Sequence, residues 1–141
     1  MINKSALVPY SATQMFDLVD DIDAYAEFLP WCRTSTVLSR GENEVTASLE
    51  IAHSGLNKSF TTRNLNETGT KITMQLVEGP FKKLEGVWQF EQLGDKGCKV
   101  SLVLDFEFSN KLVGMTFGSI FGQMAGTLVD AFTQRATQVY G

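Results

Sequence analysis

Few side chains in this sequence have the types and spacing that catalysis or metal binding requires. His53 is the only histidine, and its place beside the Ser54-Gly55 turn predicts a position at the rim of the fold. The sequence contains no serine nucleophile elbow, glycine-rich phosphate loop or zinc-binding HExxH helix. Cys32 and Cys98 fit no CxxC or Cys/His spacing, which favours two reduced, packed cysteines. The sequence therefore predicts no catalytic residue, no metal site and no cofactor, and hence a protein that is not an enzyme.

Four acidic residues near the N-terminus are the remaining candidates for paired acid and base chemistry: Asp20, Asp21, Asp23 and Glu27. Helix capping and an exposed acidic face explain this cluster better, because aspartate is a preferred residue at helix N-termini. We therefore expect these carboxylates to have a structural role.

Arg63 lies in a strand-like segment where either orientation of its side chain is defensible. An outward Arg63 is a surface charge. An inward Arg63 is a polar anchor for a carbonyl or hydroxyl oxygen of a ligand. The sequence leaves both alternatives open.

The elements that must position these residues are read from hydrophobic periodicity. Residues 45–51, 72–76, 84–91 and 99–108 alternate apolar and polar side chains, which is typical of half-buried strands, and residues 2–8 are a short strand candidate that Pro9 ends. Glycine-containing turns separate the later segments, and a capping box formed by Ser11 and Gln14 starts a short helix. We predict one α+β domain over residues 1–141, with one strand, two short helices, about six antiparallel strands and a long C-terminal helix.

The C-terminal segment is predicted to be one amphipathic helix from about residue 111 to residue 140. Residues 112–129 carry no formal charge and reach the lower limit of a membrane span. A polar stripe opposite the apolar face argues against a span and favours a helix covered by the sheet. The residues expected to face the sheet are Phe117, Phe121, Met124, Leu128 and Phe132.

A curved sheet that wraps around one helix tends to leave a cavity between them. Gly86 stands on the inward face of a strand where a side chain would pack, and Gly114, Gly118, Gly122 and Gly126 repeat at intervals of four in the helix. Close helix packing, a ligand over the helix and a bending hinge each explain the glycine repeat. We predict a noncatalytic site for a hydrophobic ligand, with core packing as the alternative role of its lining: Phe60, Met74, Leu76, Trp88, Phe90, Phe121 and Met124, with Arg63 in its inward alternative.

Two segments carry large apolar side chains where surface loops are usually polar. They are residues 28–31, with Phe28, Leu29 and Trp31, and the turn that ends in Phe81. One alternative is that both segments tuck inward as lids on the core. The other is a gate that opens at a membrane surface or contacts a partner, with Lys82 and Lys83 attracting anionic headgroups.

The composition limits the partners. The chain has 43% hydrophobic residues and a net charge of −4, which excludes disorder and gives no basic footprint for DNA. Lys82 and Lys83 form the one adjacent basic pair, so a nucleic-acid contact would have to be local.

Four segments together resemble one family, the START-like helix-grip proteins that include bacterial ribosome association toxins and mitochondrial coenzyme-Q-binding proteins. The segments are LVPYSATQMFDLVDDIDAYAEFLPWC, VEGPFKKLEGVWQF, LDFEFSN and LVDAFTQRATQVYG. The resemblance extends over nearly the whole chain. It departs at Ala26, where the family usually has proline between the tyrosine and the glutamate.

The resemblance implies two functions of different class. One is binding and transport of ubiquinone or a related lipid in the helix-grip cavity, in support of respiration. The alternative is a toxin that associates with a ribosomal subunit and blocks subunit association. Composition favours the first, because an apolar cavity needs no clustered cations, whereas ribosomal RNA binding usually does. We expect a cytoplasmic protein, with transient peripheral contact at the inner membrane in the carrier role.

Overall fold

Seven strands and four α-helices account for most of the residues that the structure describes. The structure is a computed structural model that describes residues 1–53 and 55–141; the predicted Ser54 half of the Ser54-Gly55 turn lies outside the described residues. The strands are β1 (Ile2–Val8), β2 (Cys32–Arg40), β3 (Glu44–His53), β4 (Leu56–Glu67), β5 (Lys71–Glu78), β6 (Phe81–Leu93) and β7 (Gly97–Phe108). The helices are α1 (Ala12–Asp20), α2 (Tyr25–Phe28), α3 (Lys111–Gly126) and α4 (Leu128–Tyr140), with a 3₁₀ turn at Ile22–Ala24 before α2.

All seven strands form one antiparallel sheet in the order β1-β7-β6-β5-β4-β3-β2. Strands β2 to β7 pair with their neighbours in sequence, as short connections favour. The first strand pairs with the last, with Ile2 opposite Leu104 and Val8 opposite Cys98. The predicted helix-grip architecture, a curved antiparallel sheet that holds the C-terminal helices, is confirmed.

The capping box at the start of α1 forms as the sequence predicts. Ser11 Oγ accepts a hydrogen bond from the backbone N–H of Gln14 at 3.1 Å, and Gln14 Oε1 accepts one from the backbone N–H of Ser11 at 2.9 Å. Two otherwise unpaired N–H groups are thereby satisfied. This start places Met15, Phe16 and Val19 in the core.

The C-terminal segment is not the single helix that the periodicity predicts. Helices α3 and α4 are separate and bent by 43°, and the break lies at Thr127. Both the backbone N–H and the hydroxyl of Thr127 donate to the carbonyl oxygen of Met124, at 3.1 and 2.8 Å. A threonine that bonds the carbonyl three residues earlier competes with the α-helical pattern, and Gly126 before it resists bending little.

The apolar face of the two helices is nevertheless the predicted one. Phe117, Phe121, Met124 and Phe132 are buried, and Leu128 is half-buried against the core. Within the described residues, no single helix is long and apolar enough to cross a membrane; α3 and α4 taken together across their bend meet the length and composition limits.

Gly86 and Gly122 lie against protein side chains and not beside a gap that a ligand could fill. A Cβ atom on Gly86 would lie 2.4 Å from Met74 Cε and 2.9 Å from Leu104 Cδ1, so protein side chains already fill that space. Met74 and Leu104 occupy the space at Gly86, and this glycine does not line the cavity. A Cβ on Gly122 would lie 3.9 Å from Phe106 Cζ, an ordinary contact that alanine could make.

Alanine at these two glycines should have opposite effects on stability. We expect Gly122→Ala to raise the free energy of unfolding by about 0.5–1 kcal/mol, because alanine loses less entropy than glycine in a helix. We expect Gly86→Ala to lower the free energy of unfolding by about 1–3 kcal/mol, because the added methyl group must displace Met74 Cε and Leu104 Cδ1 in a packed core. Urea denaturation followed by circular dichroism measures both; a shift of both variants in the same direction would contradict the packing described.

Candidate ligand cavity

A partly open space of about 80 Å³ lies between the concave face of the sheet and helices α3 and α4. Its lining is almost entirely apolar and comes from every element around it. The lining residues are Ile22, Tyr25, Trp31, Ala47, Leu49, Ile51, Phe60, Thr62, Asn64, Met74, Leu84, Trp88, Leu104, Phe121, Met124, Ala125, Leu128 and Phe132. The cavity is thus the gap that a curved sheet leaves around a helix.

The cavity separates two parts of the hydrophobic core. Ile22, Val45 and Ala47 form a small buried cluster at the β2–β3 side of the sheet, apart from the main core around α1, β6, β7 and the C-terminal helices. Lining residues come from both clusters. The space lies well below the roughly 300–1,000 Å³ of pockets that hold drug-sized ligands, so a larger ligand would require the side chains that line it to rearrange.

Five of the predicted ligand-binding residues line this cavity: Phe60, Met74, Trp88, Phe121 and Met124. Phe90 does not, because its ring lies further along β6, 6.3 Å from the Trp88 ring and 5.7 Å from the Phe16 ring. Leu76 also lies outside the lining, half-buried against the main core. Ligand contact by the five lining residues stays a prediction.

Arg63 lies on the outer face of the sheet. Its guanidinium Nε is 3.1 Å from Glu44 Oε1, and both side chains are about half exposed. Strand alternation explains the orientation, because Phe60, Thr62 and Asn64 point into the cavity and the residues between them point outward. Of the two alternatives for Arg63, the structure therefore has the surface charge.

Sequence reasoning missed the polar residues of the cavity. Thr62 and Asn64 line it, and the Thr62 hydroxyl donates a hydrogen bond to Asn64 Oδ1 at 3.1 Å. Alternation from the inward Phe60 would have indicated both. Tyr25 also reaches the lining, but its hydroxyl donates to the Val19 carbonyl oxygen, and burial together with the charge of Asp20 raises the pKa of this phenol.

The first predicted gate segment lies largely inside the fold. Leu29 is buried, Trp31 lines the cavity, and the Phe28 ring packs on Phe132 at a centroid distance of 5.2 Å. The Arg135 guanidinium covers the outer side of Phe28, 4.9 Å from its ring centre. These positions are those of a lid, and its opening stays a prediction.

The second gate segment divides into a buried ring and exposed lysines. Phe81 is 5% exposed and packs between Phe108 and Phe121, with centroid distances of 5.0 Å to each. Lys83 Nζ lies 2.7 Å from Asp105 Oδ2, which raises the pKa of the amine and lowers that of the carboxyl. Lys82 is mostly exposed, 4.0 Å from Glu107. Only the lysines of this segment can therefore reach a partner without a rearrangement.

The acidic cluster joins the N-terminal helices to the sheet. Asp20 accepts hydrogen bonds from Arg40 at 3.0 Å and from Asn66 at 2.9 Å. Asp23 accepts one from the backbone N–H of Val37 at 2.8 Å. These bonds give Asp20 and Asp23 a structural role and direct them away from the cavity. The predicted helix capping does not form, because Asp21 at the N-cap of the 3₁₀ turn makes no side-chain cap hydrogen bond and the N-cap of α2 is Ala24.

The other residues considered for chemistry are also separate from one another. Cys32 and Cys98 are buried free thiols, and burial raises the pKa of Cys32 to about 11. His53 is exposed at the end of β3. Within residues 1–53 and 55–141, no group of three or more histidine, cysteine, aspartate or glutamate side chains could hold a metal ion.

Comparison with known proteins identifies the family. Residues 8–133 match the family described as polyketide cyclase / dehydrase and lipid transport. The chain belongs to this family. The match begins in β1 and ends in α4, so it includes every element that lines the cavity and confirms the predicted family.

Two curated relatives of the chain have names that describe different functions. The chain is 51% identical to "Ribosome association toxin RatA" of Pseudomonas aeruginosa over 140 residues, which cover 99% of this chain and 97% of that protein. It is 28% identical to "Coenzyme Q-binding protein COQ10 homolog B, mitochondrial" of Xenopus laevis, covering 99% of this chain and 59% of that protein.

Solved structures share the fold of this family member at low sequence identity. A protein of Thermus thermophilus aligns with a TM-score of 0.84 and 16% identity, covering 99% of both chains. The Zhui aromatase/cyclase of a Streptomyces species aligns with a TM-score of 0.83 and 16% identity, covering 99% of this chain and 96% of that one. The fold is thus shared with a protein titled as an aromatase/cyclase, while the relative at about half identity is named as a toxin.

Proposed function

We propose that this protein associates with a ribosomal subunit and blocks the joining of the two subunits, in the cytoplasm. The observation that carries the proposal is the 51% identity, over 99% of the chain, with a protein named as a ribosome association toxin. The similarity runs through strands, loops and both C-terminal helices, so it supports a shared molecular surface as well as a shared fold.

A local surface must provide the contact, since the net charge is −4 and ribosomal RNA is an anion. Lys82 and Lys111 line one shallow depression at the start of α3, together with the exposed side chain of Met115. Glu107 is the one acidic residue among the described residues that line it. Two lysines beside an exposed apolar side chain suit a mixed surface of RNA and protein.

The test is a subunit-joining experiment with purified small and large ribosomal subunits, analysed by sucrose-gradient sedimentation. We expect the protein to reduce the fraction of joined ribosomes, and Lys82→Glu to weaken this effect about three- to tenfold, because it replaces a cation that faces phosphate. Lys96→Glu is the matched control: it makes the same charge change in the exposed turn at the opposite end of the β6–β7 hairpin.

Two results of this experiment would count against the proposal. Full joining of subunits in the presence of excess protein would contradict the function. Equal weakening by Lys82→Glu and Lys96→Glu would contradict the surface, because it would show a response to net charge alone.

A second candidate function is binding or transport of a hydrophobic molecule, such as ubiquinone or another lipid, in support of respiration. The apolar cavity favours it, as do the lipid-transport description of the family and the name of the coenzyme-Q-binding relative. Delivery would need transient contact with the inner membrane, for which the segment of Phe28, Leu29 and Trp31 is the proposed gate.

A further inference from the structure

Asn64 is the one polar residue in the buried core of the described chain, with 6% of its surface exposed. It lies towards the C-terminal end of β4, opposite Val45 of β3 on one side and Met74 of β5 on the other. Its backbone is therefore engaged in the sheet on both edges. The side chain is directed into the cavity with Phe60 and Thr62.

The hydrogen bonds of this side chain are incomplete. Thr62 Oγ1 donates to Asn64 Oδ1 at 3.1 Å, which holds the carboxamide in one orientation. Asn64 Nδ2 carries two N–H donors and donates none of the side-chain hydrogen bonds among the described residues; it is also not a fully buried atom that lacks a partner. These donors are therefore open to the cavity that the side chain lines, where a ligand acceptor can form a hydrogen bond with them.

The charge of the lining restricts the acceptor. Among the described residues that line the cavity, none is cationic, and Arg63 is on the opposite face of the sheet. Burying a carboxylate beside Asn64 without a cation would be strongly unfavourable. A neutral carbonyl oxygen meets both conditions, because it accepts a hydrogen bond and carries no charge.

We infer that the Asn64 carboxamide, held by Thr62, is the anchor of the cavity for the carbonyl oxygen of a neutral, otherwise apolar ligand. Asn64 and Thr62 thus determine specificity, and the apolar lining supplies most of the affinity. This inference rests on the second candidate function and specifies its ligand class: ketones, quinones and esters bind through it, and fatty acid anions do not.

The test compares two isosteric probes. Methyl pentyl ketone carries the acceptor, and the alkene with a methylene group in place of its carbonyl oxygen does not. Both tryptophans of the chain, Trp31 and Trp88, line the cavity, so intrinsic fluorescence reports binding of either probe. The quantity measured is the ratio of the two dissociation constants. The alkene is the more hydrophobic molecule, so an absolute affinity would combine the hydrophobicity of the probe with its hydrogen bond to Asn64.

We expect Asn64→Leu to shift this ratio about tenfold towards the alkene and Thr62→Val to shift it about threefold in the same direction. Thr73→Val is the matched control; Thr73 lies between Ile72 and Met74 and points to the other face of the sheet. Circular dichroism establishes that each variant is folded, and Thr62→Val carries the comparison if Asn64→Leu does not fold.

The possible failures are distinguishable. An unchanged ratio in Asn64→Leu and Thr62→Val, with both probes bound, would overturn the anchor and leave the ligand-binding function standing. Binding of heptanoate as tightly as the ketone would overturn the restriction to neutral ligands. Absence of binding by both probes in the unaltered protein would overturn the ligand-binding function itself, without bearing on subunit joining.

Discussion

Phe132→Ala is expected to lower the free energy of unfolding by about 3–5 kcal/mol, the range for truncating a buried aromatic side chain. Phe132 is fully buried in α4, and its ring lies 5.2–5.4 Å, between centroids, from the rings of Tyr25, Phe28 and Trp88. The substitution would enlarge an existing cavity, so the neighbours cannot collapse to fill the space, which places the effect high in this range.

Guanidinium denaturation, followed by circular dichroism, measures the change. Val139→Ala is the matched control on the same helix, since Val139 is half exposed and its truncation should alter stability by about 0.5 kcal/mol or less. A loss below about 1 kcal/mol for Phe132→Ala would show that the rings around the cavity already repack freely.

Ala125→Leu is expected to weaken the uptake of hydrophobic probes by at least about tenfold, which corresponds to about 1.4 kcal/mol. Ala125 is 3% exposed on α3 and lines the cavity, so a leucine there occupies the space that a ligand needs. The same variant should inhibit the joining of ribosomal subunits as strongly as the unaltered protein does. The reason is that a buried side chain does not reach the ribosome. The two candidate functions are thereby separated in one protein.

Fluorescence titration with methyl pentyl ketone measures the uptake, and sucrose-gradient sedimentation measures subunit joining. Ala26→Leu is the control, because Ala26 is exposed on α2 and gains the same atoms. Ala47→Leu, which fills the cavity from β3, provides a second test if overpacking unfolds Ala125→Leu. Uptake equal to that of the unaltered protein in a folded Ala125→Leu would contradict a ligand site in this cavity.

Local periodicity was sufficient for most of the fold. Alternation along β3, β5, β6 and β7 predicted one buried face, and the side chains of Val45, Ile72, Trp88 and Leu102 are buried on it. The buried face can be predicted from such patterns because a strand and a helix each repeat their side-chain directions at a fixed interval. The same interval identified the buried face of the C-terminal helices.

The tertiary structure decided what depends on neighbours that are distant in sequence. At Thr127 the chain can form either the regular α-helical hydrogen bonds or the bonds to the Met124 carbonyl oxygen that accompany the bend. Hydrophobic periodicity does not indicate which of the two sets is more stable. The space at Gly86 is occupied by Met74 and Leu104, which lie on the two strands adjacent to β6. A local sequence pattern does not predict where the ends of these side chains lie.

The candidate site illustrates the same division. The sequence alone determined that an apolar cavity should lie between sheet and helix, and it named five of the aromatic and methionine residues that line it. Only the folded chain determined which way β4 faces, and that orientation places Arg63 in solvent and Asn64 in the cavity. The physical reason is that a shift of one residue exchanges the two faces of a strand, so the direction of a polar side chain is set by the pairing of β4 with β3 and β5.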